Sequence, residues 1–130
     1  DTTTTPQNTP INLPVTTLLA NDTDPDTPAS ALSITAVSGA VGGTATLNNN
    51  GTTTISSDDF IVFSPNNNFT GKASFNYTLS DGSLTSTATV TVNVTAVGGK
   101  SLSGTPGNDF LEGGAGNDNI EGLNGNDTIV

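Results

Sequence analysis

The sequence predicts an all-β protein: an antiparallel β-sandwich over residues 1–96, then a stack of short repeated turns over 104–130. Two observations carry this. Apolar and hydroxyl-bearing side chains alternate with period two through several stretches before residue 96, and no segment shows helical periodicity. The final stretch divides into three nine-residue units with no remainder. At 130 residues the chain is long enough for one domain and a small appendage.

Taken in order, residues 1–10 are Thr/Pro-rich and extended, a linker or the approach to a first strand, with Pro6 and Pro10 favouring an edge. A strand is expected at 11–13, and a single turn or a strand at 15–20. Residues 21–30 form a loop broken by Pro25 and Pro28. Leu32, Ile34 and Ala36 alternate with Ser33 and Thr35, and Ala45 and Leu47 with Thr44 and Thr46. Asn50-Gly51 signals a hairpin whose return strand is expected at 52–55. Phe60-Ile61-Val62-Phe63 suits a buried strand, and 65–68 turns the chain again. Ala73, Phe75, Tyr77 and Leu79 share one strand face. Across a hairpin at 80–83, Ala88, Val90, Val92 and Val94 share another. Six or seven strands with a turn about every ten residues point to an Ig-like sandwich. Residues 97–103 are expected to be the linker.

Each terminal unit (104–112, 113–121, 122–130) has Gly at positions one and four, Asn at five, Asp at six and a branched aliphatic at eight. Glycine permits the positive φ of a tight turn. One such turn cannot bury Leu111, Ile120 or Ile129 alone, whereas stacked turns can. Stacking brings carboxylates into register, and five acids with no base lie in 104–130. A hard dication with oxygen ligands, Ca²⁺ above all, would neutralise them.

These units resemble the RTX family of Ca²⁺-binding nonapeptide repeats, pattern G-G-x-G-x-D-x-U-x, found in secreted bacterial proteins. The resemblance implies a parallel β-roll with turns on alternate sides. It implies Ca²⁺ ligands among Asp109, Asp118 and Asp127, with Asn108, Asn117 and Asn126 and with Gly104, Gly107, Gly113, Gly116, Gly122 and Gly125 of the same turns. Thr105 and Leu123 depart from Gly at position two, so the turns of units one and three are expected to be less regular. Units one and three would stack on one side and leave unit two without a partner. One well-formed site is therefore expected between Asp109 and Asp127, and a half-site at Asp118.

Composition narrows the function classes. Twelve acids against Lys72 and Lys100 give a formal charge of −10. Nucleic acid and anionic membranes both need basic surface, so neither is expected as a partner. With no Cys, Met, Trp or His, the usual ligands of zinc, haem, iron–sulfur and copper are missing, and so is imidazole catalysis. Charged residues are 11%, against about 25% in ordinary domains, and Thr suits a solvated sheet face. No signal peptide or transmembrane run is read in the sequence.

Asp22, Asp24 and Asp26 stand at alternate positions of one loop, so their carboxylates can point to one side as half a Ca²⁺ cage. Asp81, at a hairpin tip, could complete it. Aspartate is also a common turn residue. Residues 1–96 resemble the bacterial cadherin-like, Ig-fold tandem repeats of large surface proteins. The resemblance is carried by Leu18-Leu19-Ala20-Asn21-Asp22-Thr23-Asp24-Pro25-Asp26, Phe63-Ser64-Pro65 with Asn68-Phe69-Thr70-Gly71, and Ser74-Phe75-Asn76-Tyr77-Thr78-Leu79-Ser80-Asp81-Gly82. It implies Ca²⁺ ligands at Asp22, Asp24, Asp26, Asp81 and, more weakly, Asp1, stiffening a joint between domains. Thr27-Pro28 stands where that family often has Gly-Asp, so a further ligand is missing.

Together these readings lead to a non-enzymatic, Ca²⁺-binding structural and adhesive module of a secreted bacterial surface protein, exported by type I secretion as the RTX resemblance implies. Its partners would be Ca²⁺ and neighbouring domains or copies of the same chain, with no membrane insertion. A metal held only by the folded state adds RT ln(1 + [L]/Kd), so Ca²⁺ would drive folding outside the cell. Two alternatives remain. One is a subunit of an extracellular filament built by strand addition with Ca²⁺ at the junctions. The other is a carbohydrate-binding module with glycan partners, disfavoured by the absence of Trp and by a single Tyr on the buried face. Self-cleavage at Asp24-Pro25 is the weakest reading.

Overall fold

A computed structural model describes residues 1–28, 31–114 and 116–130. The chain forms two compact units, Asp1–Thr95 and Ala96–Val130.

Among its described residues the first unit is a sandwich of seven strands: β1 (Thr2–Pro6), β2 (Ile11–Pro14), β3 (Ser33–Val41), β4 (Gly43–Asn48), β5 (Phe60–Pro65), β6 (Gly71–Ser80) and β7 (Thr85–Thr95). One sheet has the order β1-β7-β6-β3 and the other β2-β5-β4. β1 runs parallel to its neighbour β7, with Thr2 opposite Thr91 and Pro6 opposite Thr95. The period-two alternation of β6 and β7 sets their register: Ala73, Phe75 and Tyr77 face Val92, Val90 and Ala88. All of these except the half-buried Ala88 are fully buried, as are Ile61 and Phe63 on β5. Phe63 and Phe75 stack between the sheets at 5.8 Å and 19°, a geometry favoured for aromatic pairs.

Residues 15–20 are helical rather than extended. A four-residue helix α1 (Val15–Leu18) runs into a 3₁₀ turn (Leu19–Asn21), and Val15, Leu18 and Leu19 enter the core. The strand expected at 52–55 does not form. Asn49–Thr52 is a tight turn with Asn50 and Gly51 at φ 49° and 78°, as the Asn-Gly pair predicts. The true return strand is β5, with Asn48 opposite Phe60. Ile55 stays 51% exposed, whereas the run starting at Phe60 reaches the core, so burial decides the pairing. The edge strand β3 carries register shifts after Ile34 and Ser38, which blunt its edge against further pairing.

Among its described residues the second unit holds four short strands: β8 (Ser101–Ser103), β9 (Phe110–Leu111), β10 (Asn119–Glu121) and β11 (Thr128–Ile129). β8 pairs with β10 and β9 with β11, both in parallel. Partners lie two units apart, Leu102 opposite Ile120 and Leu111 opposite Ile129. Two expectations are corrected here. Residues 97–103 are not a plain linker, because they contain β8. Unit two is not left alone, because β10 has β8 as its neighbour. Residues 95–103 act as a degenerate preceding unit, with Gly98 at position four, Lys100 at six and Leu102 at eight.

Position two behaves unequally. Gly114 and Leu123 both take left-handed backbone, φ 91° and 68°, whereas Thr105 is not among the positive-φ residues. A side chain in that region costs about 1–2 kcal/mol, and Leu123 is 58% exposed, so little packing offsets it. Leu123→Gly is therefore expected to stabilise the second unit by about 1 kcal/mol. The check is a lower Ca²⁺ midpoint for its circular dichroism transition.

Candidate calcium site

The 18-residue register that joins β9 to β11 sets turn 105–109 against turn 123–127. Equivalent groups then meet rung by rung. The Asn126 amide donates to Asn108 Oδ1 at 2.9 Å, the Asp109 amide to Asp127 Oδ1 at 3.0 Å, and the Thr128 amide to the Asp109 carbonyl at 2.8 Å. At position two, Thr105 gives Asp109 Oδ2 its amide at 2.6 Å and its hydroxyl at 3.1 Å. This replaces a glycine turn by a side-chain cap.

The repeated glycines mark where oxygen comes close. A Cβ on Gly104 would stand 2.5 Å from the Gly122 carbonyl oxygen and 2.7 Å from Asp109 Oδ2. On Gly122 it would overlap the Asp127 carboxylate, on Gly113 that of Asp118, and on Gly125 the Gly107 carbonyl. Real Cβ atoms do not approach so closely, so position one must be glycine for the carboxylate at position six to fold back over its turn. Asp109, Asp118 and Asp127 are all half-buried. The side chains at position six of these turns supply two carboxylates, and the Gly122 carbonyl lies with Asp109 Oδ2 against Gly104. This donor chemistry and its glycine-lined cradle fit Ca²⁺.

On the alternate side, Asp118 Oδ1 accepts the Lys100 amide at 2.7 Å, the counterpart of the bond from Asp109 to Asp127. Gly116 stacks on Gly98: a Cβ there would lie 2.9 Å from the Val97 oxygen and 3.1 Å from that of Gly98. Asn117 packs against Gly99, where no Cβ would fit.

The four strands contribute little burial. Leu102, Leu111 and Ile120 are half-buried and Ile129 is 52% exposed, in contrast to the fully buried sandwich core. At about 25 cal/mol per Å² this unit gains little from apolar burial.

The loop aspartates separate into pairs. Asp22 Oδ2 and Asp1 Oδ2 approach the Tyr77 hydroxyl at 2.8 and 3.0 Å, and Asn21 Nδ2 donates to Asp1 Oδ1 at 2.9 Å. Asp24 accepts the amides of Asp26 and Thr27, both at 2.8 Å. Asp81 accepts those of Ser83 and Leu84 at 2.6 Å, which hold its carboxyl below the usual range, Leu84 foremost. Asp24 and Asp81 line one surface pocket of about 220 Å³, while Asp26 is exposed. Among the described residues, no three acidic side chains converge on a metal position.

Sequence reasoning missed two groups. The Tyr77 hydroxyl ties Asp22 and Asp1 to the core, and burial, then the Asp22 carboxylate, push its pKa far above the ordinary phenol value. Asp59 reads as a solvated turn residue, yet it is 9% exposed, and its Oδ1 is buried with no partner among the described residues. Only the fold reveals this, because the Asp59 carbonyl takes the Val15 amide at 3.0 Å and anchors the residue under α1. Burial, then neighbouring Asp58, raise its pKa above the ordinary 3.8. A raised carboxyl pKa means the native state holds the proton more tightly than the unfolded chain. Its stabilising contribution is complete below 3.8 and is lost as pH rises through the folded value. Asp59→Asn is therefore expected to raise the melting midpoint at neutral pH, with the gain shrinking on acidification. Melts across a pH series check this.

Comparison with known proteins bears on both units. The family model of the bacterial Ig domain matches residues 1–93, and that of the RTX calcium-binding nonapeptide repeat (4 copies) matches 101–130. No curated protein matches the chain. Among solved structures, an endo-fucoidan hydrolase from glycoside hydrolase family 107 is similar at 23% identity with a TM-score of 0.44. The match covers 73% of this chain and 12% of that one. At that score the likeness carries no argument about fold or activity. No helix among the described residues is long and apolar enough to cross a membrane.

Proposed function

The chain belongs to the bacterial Ig domain family and carries RTX calcium-binding repeats, and from that premise we propose a Ca²⁺-set adhesive and spacing module of a secreted surface protein. The two families support a calcium-binding module of surface-protein type, and both are typically non-catalytic. In this proposal Ca²⁺ between Asp109 and Asp127 orders the roll after type I export, while the sandwich serves as a spacer joined to its neighbours. The observation that carries it is the 18-residue register, which stacks two aspartate-bearing turns over glycines. At an extracellular Kd of about 10⁻⁴–10⁻³ M the site would be nearly empty in cytosol and mostly filled outside. The Asp22–Asp1 and Asp24–Asp81 pairs are further ligand candidates at loops of the sandwich.

The filament alternative loses its simplest donor. Residues 2–6 already pair with β7 of their own sheet, and β3 is bulged. Tyr77 lies 1% exposed, which leaves no aromatic platform from it for a sugar ring.

The test is a circular dichroism melt in EDTA and in millimolar Ca²⁺, paired with calorimetric titration. Cooperative Ca²⁺ binding with gain of β signal is expected. An unchanged melt and no binding heat would end the proposal.

A further inference from the structure

The two sides of the roll do not carry equivalent chemistry. On one side the position-six residues are Asp109 and Asp127, and on the other they are Lys100 and Asp118. The backbone does not distinguish them. The Lys100 amide donates to Asp118 Oδ1 at 2.7 Å as the Asp109 amide donates to Asp127 Oδ1 at 3.0 Å. The Asn119 amide donates to the Lys100 carbonyl at 2.8 Å as the Thr128 amide donates to that of Asp109 at 2.8 Å. What changes is the side chain carried at position six. Lys100 Nζ reaches to 3.5 Å from where a Cβ on Gly114 would stand, at position two of the turn closed by Asp118.

We propose that the Lys100 ammonium is a built-in cation for the second side of the roll, taking over the charge-balancing role that Ca²⁺ has between Asp109 and Asp127. This rests on the calcium reading above. One carboxylate with a fixed ammonium is a poor Ca²⁺ site, because affinity follows ligand charge and the ammonium repels the ion. On this reading the Lys100 charge offsets that of Asp118 across the turn without a direct ion pair, so β8–β10 can form before Ca²⁺ arrives and template the rung that needs it. Residues 95–103 are then a capping unit: they keep the turn geometry of the array and end its metal ladder on that side. The ammonium is a compact point charge with three donors on a flexible stem, which suits a cage built for an ion.

The experiment uses the full chain. Bound Ca²⁺ is counted by calorimetry in the parent, Lys100→Asp, Lys100→Met and Asp127→Asn, and melts are run in EDTA. Expected results are one more ion than the parent in Lys100→Asp, one fewer in Asp127→Asn, and a lower EDTA midpoint for the second unit in Lys100→Met. An unchanged count in Asp127→Asn overturns the calcium reading itself. A reduced count there, with no extra ion in Lys100→Asp while the cross-strand NOEs from Leu102 to Ile120 persist, overturns the inference alone. If those NOEs are lost in Lys100→Asp, Lys100→Met decides: an EDTA midpoint equal to the parent's also overturns it.

Discussion

Asp127→Asn is expected to abolish most of the Ca²⁺-dependent gain in stability of the C-terminal unit. In about 10 mM Ca²⁺, a site with Kd of about 10⁻⁴–10⁻³ M contributes roughly 1.4–2.7 kcal/mol through RT ln(1 + [L]/Kd). The substitution is nearly isosteric and keeps an Oδ1 acceptor for the Asp109 amide, so it removes charge and leaves the rung. Charge at the paired carboxylates is what a hard dication needs. The comparison is of parent and variant melts with and without Ca²⁺. Equal Ca²⁺ shifts in both proteins would place the metal elsewhere.

Phe75→Ala is expected to cost about 3–5 kcal/mol, the usual loss for truncating a buried aromatic. Phe75 is 0% exposed, lies opposite Val90 and stacks on Phe63 at 5.8 Å, so neither sheet can close over the gap without moving the other. For a domain stabilised by about 5–15 kcal/mol this is a large fraction of the total. Urea denaturation followed by circular dichroism measures it. A loss under about 1 kcal/mol would mean that the inter-sheet core is not centred on this pair.

The parts of the fold that were legible in the sequence are those governed by short periods. β6 and β7 alternate over their whole length, and the register that buries Phe75 and Tyr77 follows from that alternation. The nine-residue repeat likewise announces its own stacking. Legibility failed where a long-range partner decides. Asn50-Gly51 makes its turn, but the strand after it is chosen by the core, which takes Phe60–Pro65 and leaves Ile55 outside. Residues 15–20 are apolar without a period and become a helical plug. Ser101–Ser103 carries the position-eight Leu102 but lacks the Asn-Asp of a full unit, so it passes for linker; the nine-residue spacing from Leu102 to Leu111 was the available signal. For the loop aspartates, the sequence shows alternation but not which amides will claim each carboxylate. Asp24 and Asp81 turn onto their own loops, and Asp22 turns onto Tyr77.

Because every rung joins residues 18 apart, the array has a parity. Deleting one nonapeptide would move each downstream aspartate to the opposite face, so that Asp127 would be paired with the Lys100 column and not with Asp109. Deleting two would restore the faces and only shorten the stack. Length variation in such a chain is therefore graded in steps of two units. A single-unit change exchanges which side is metal-ready and which is already neutral.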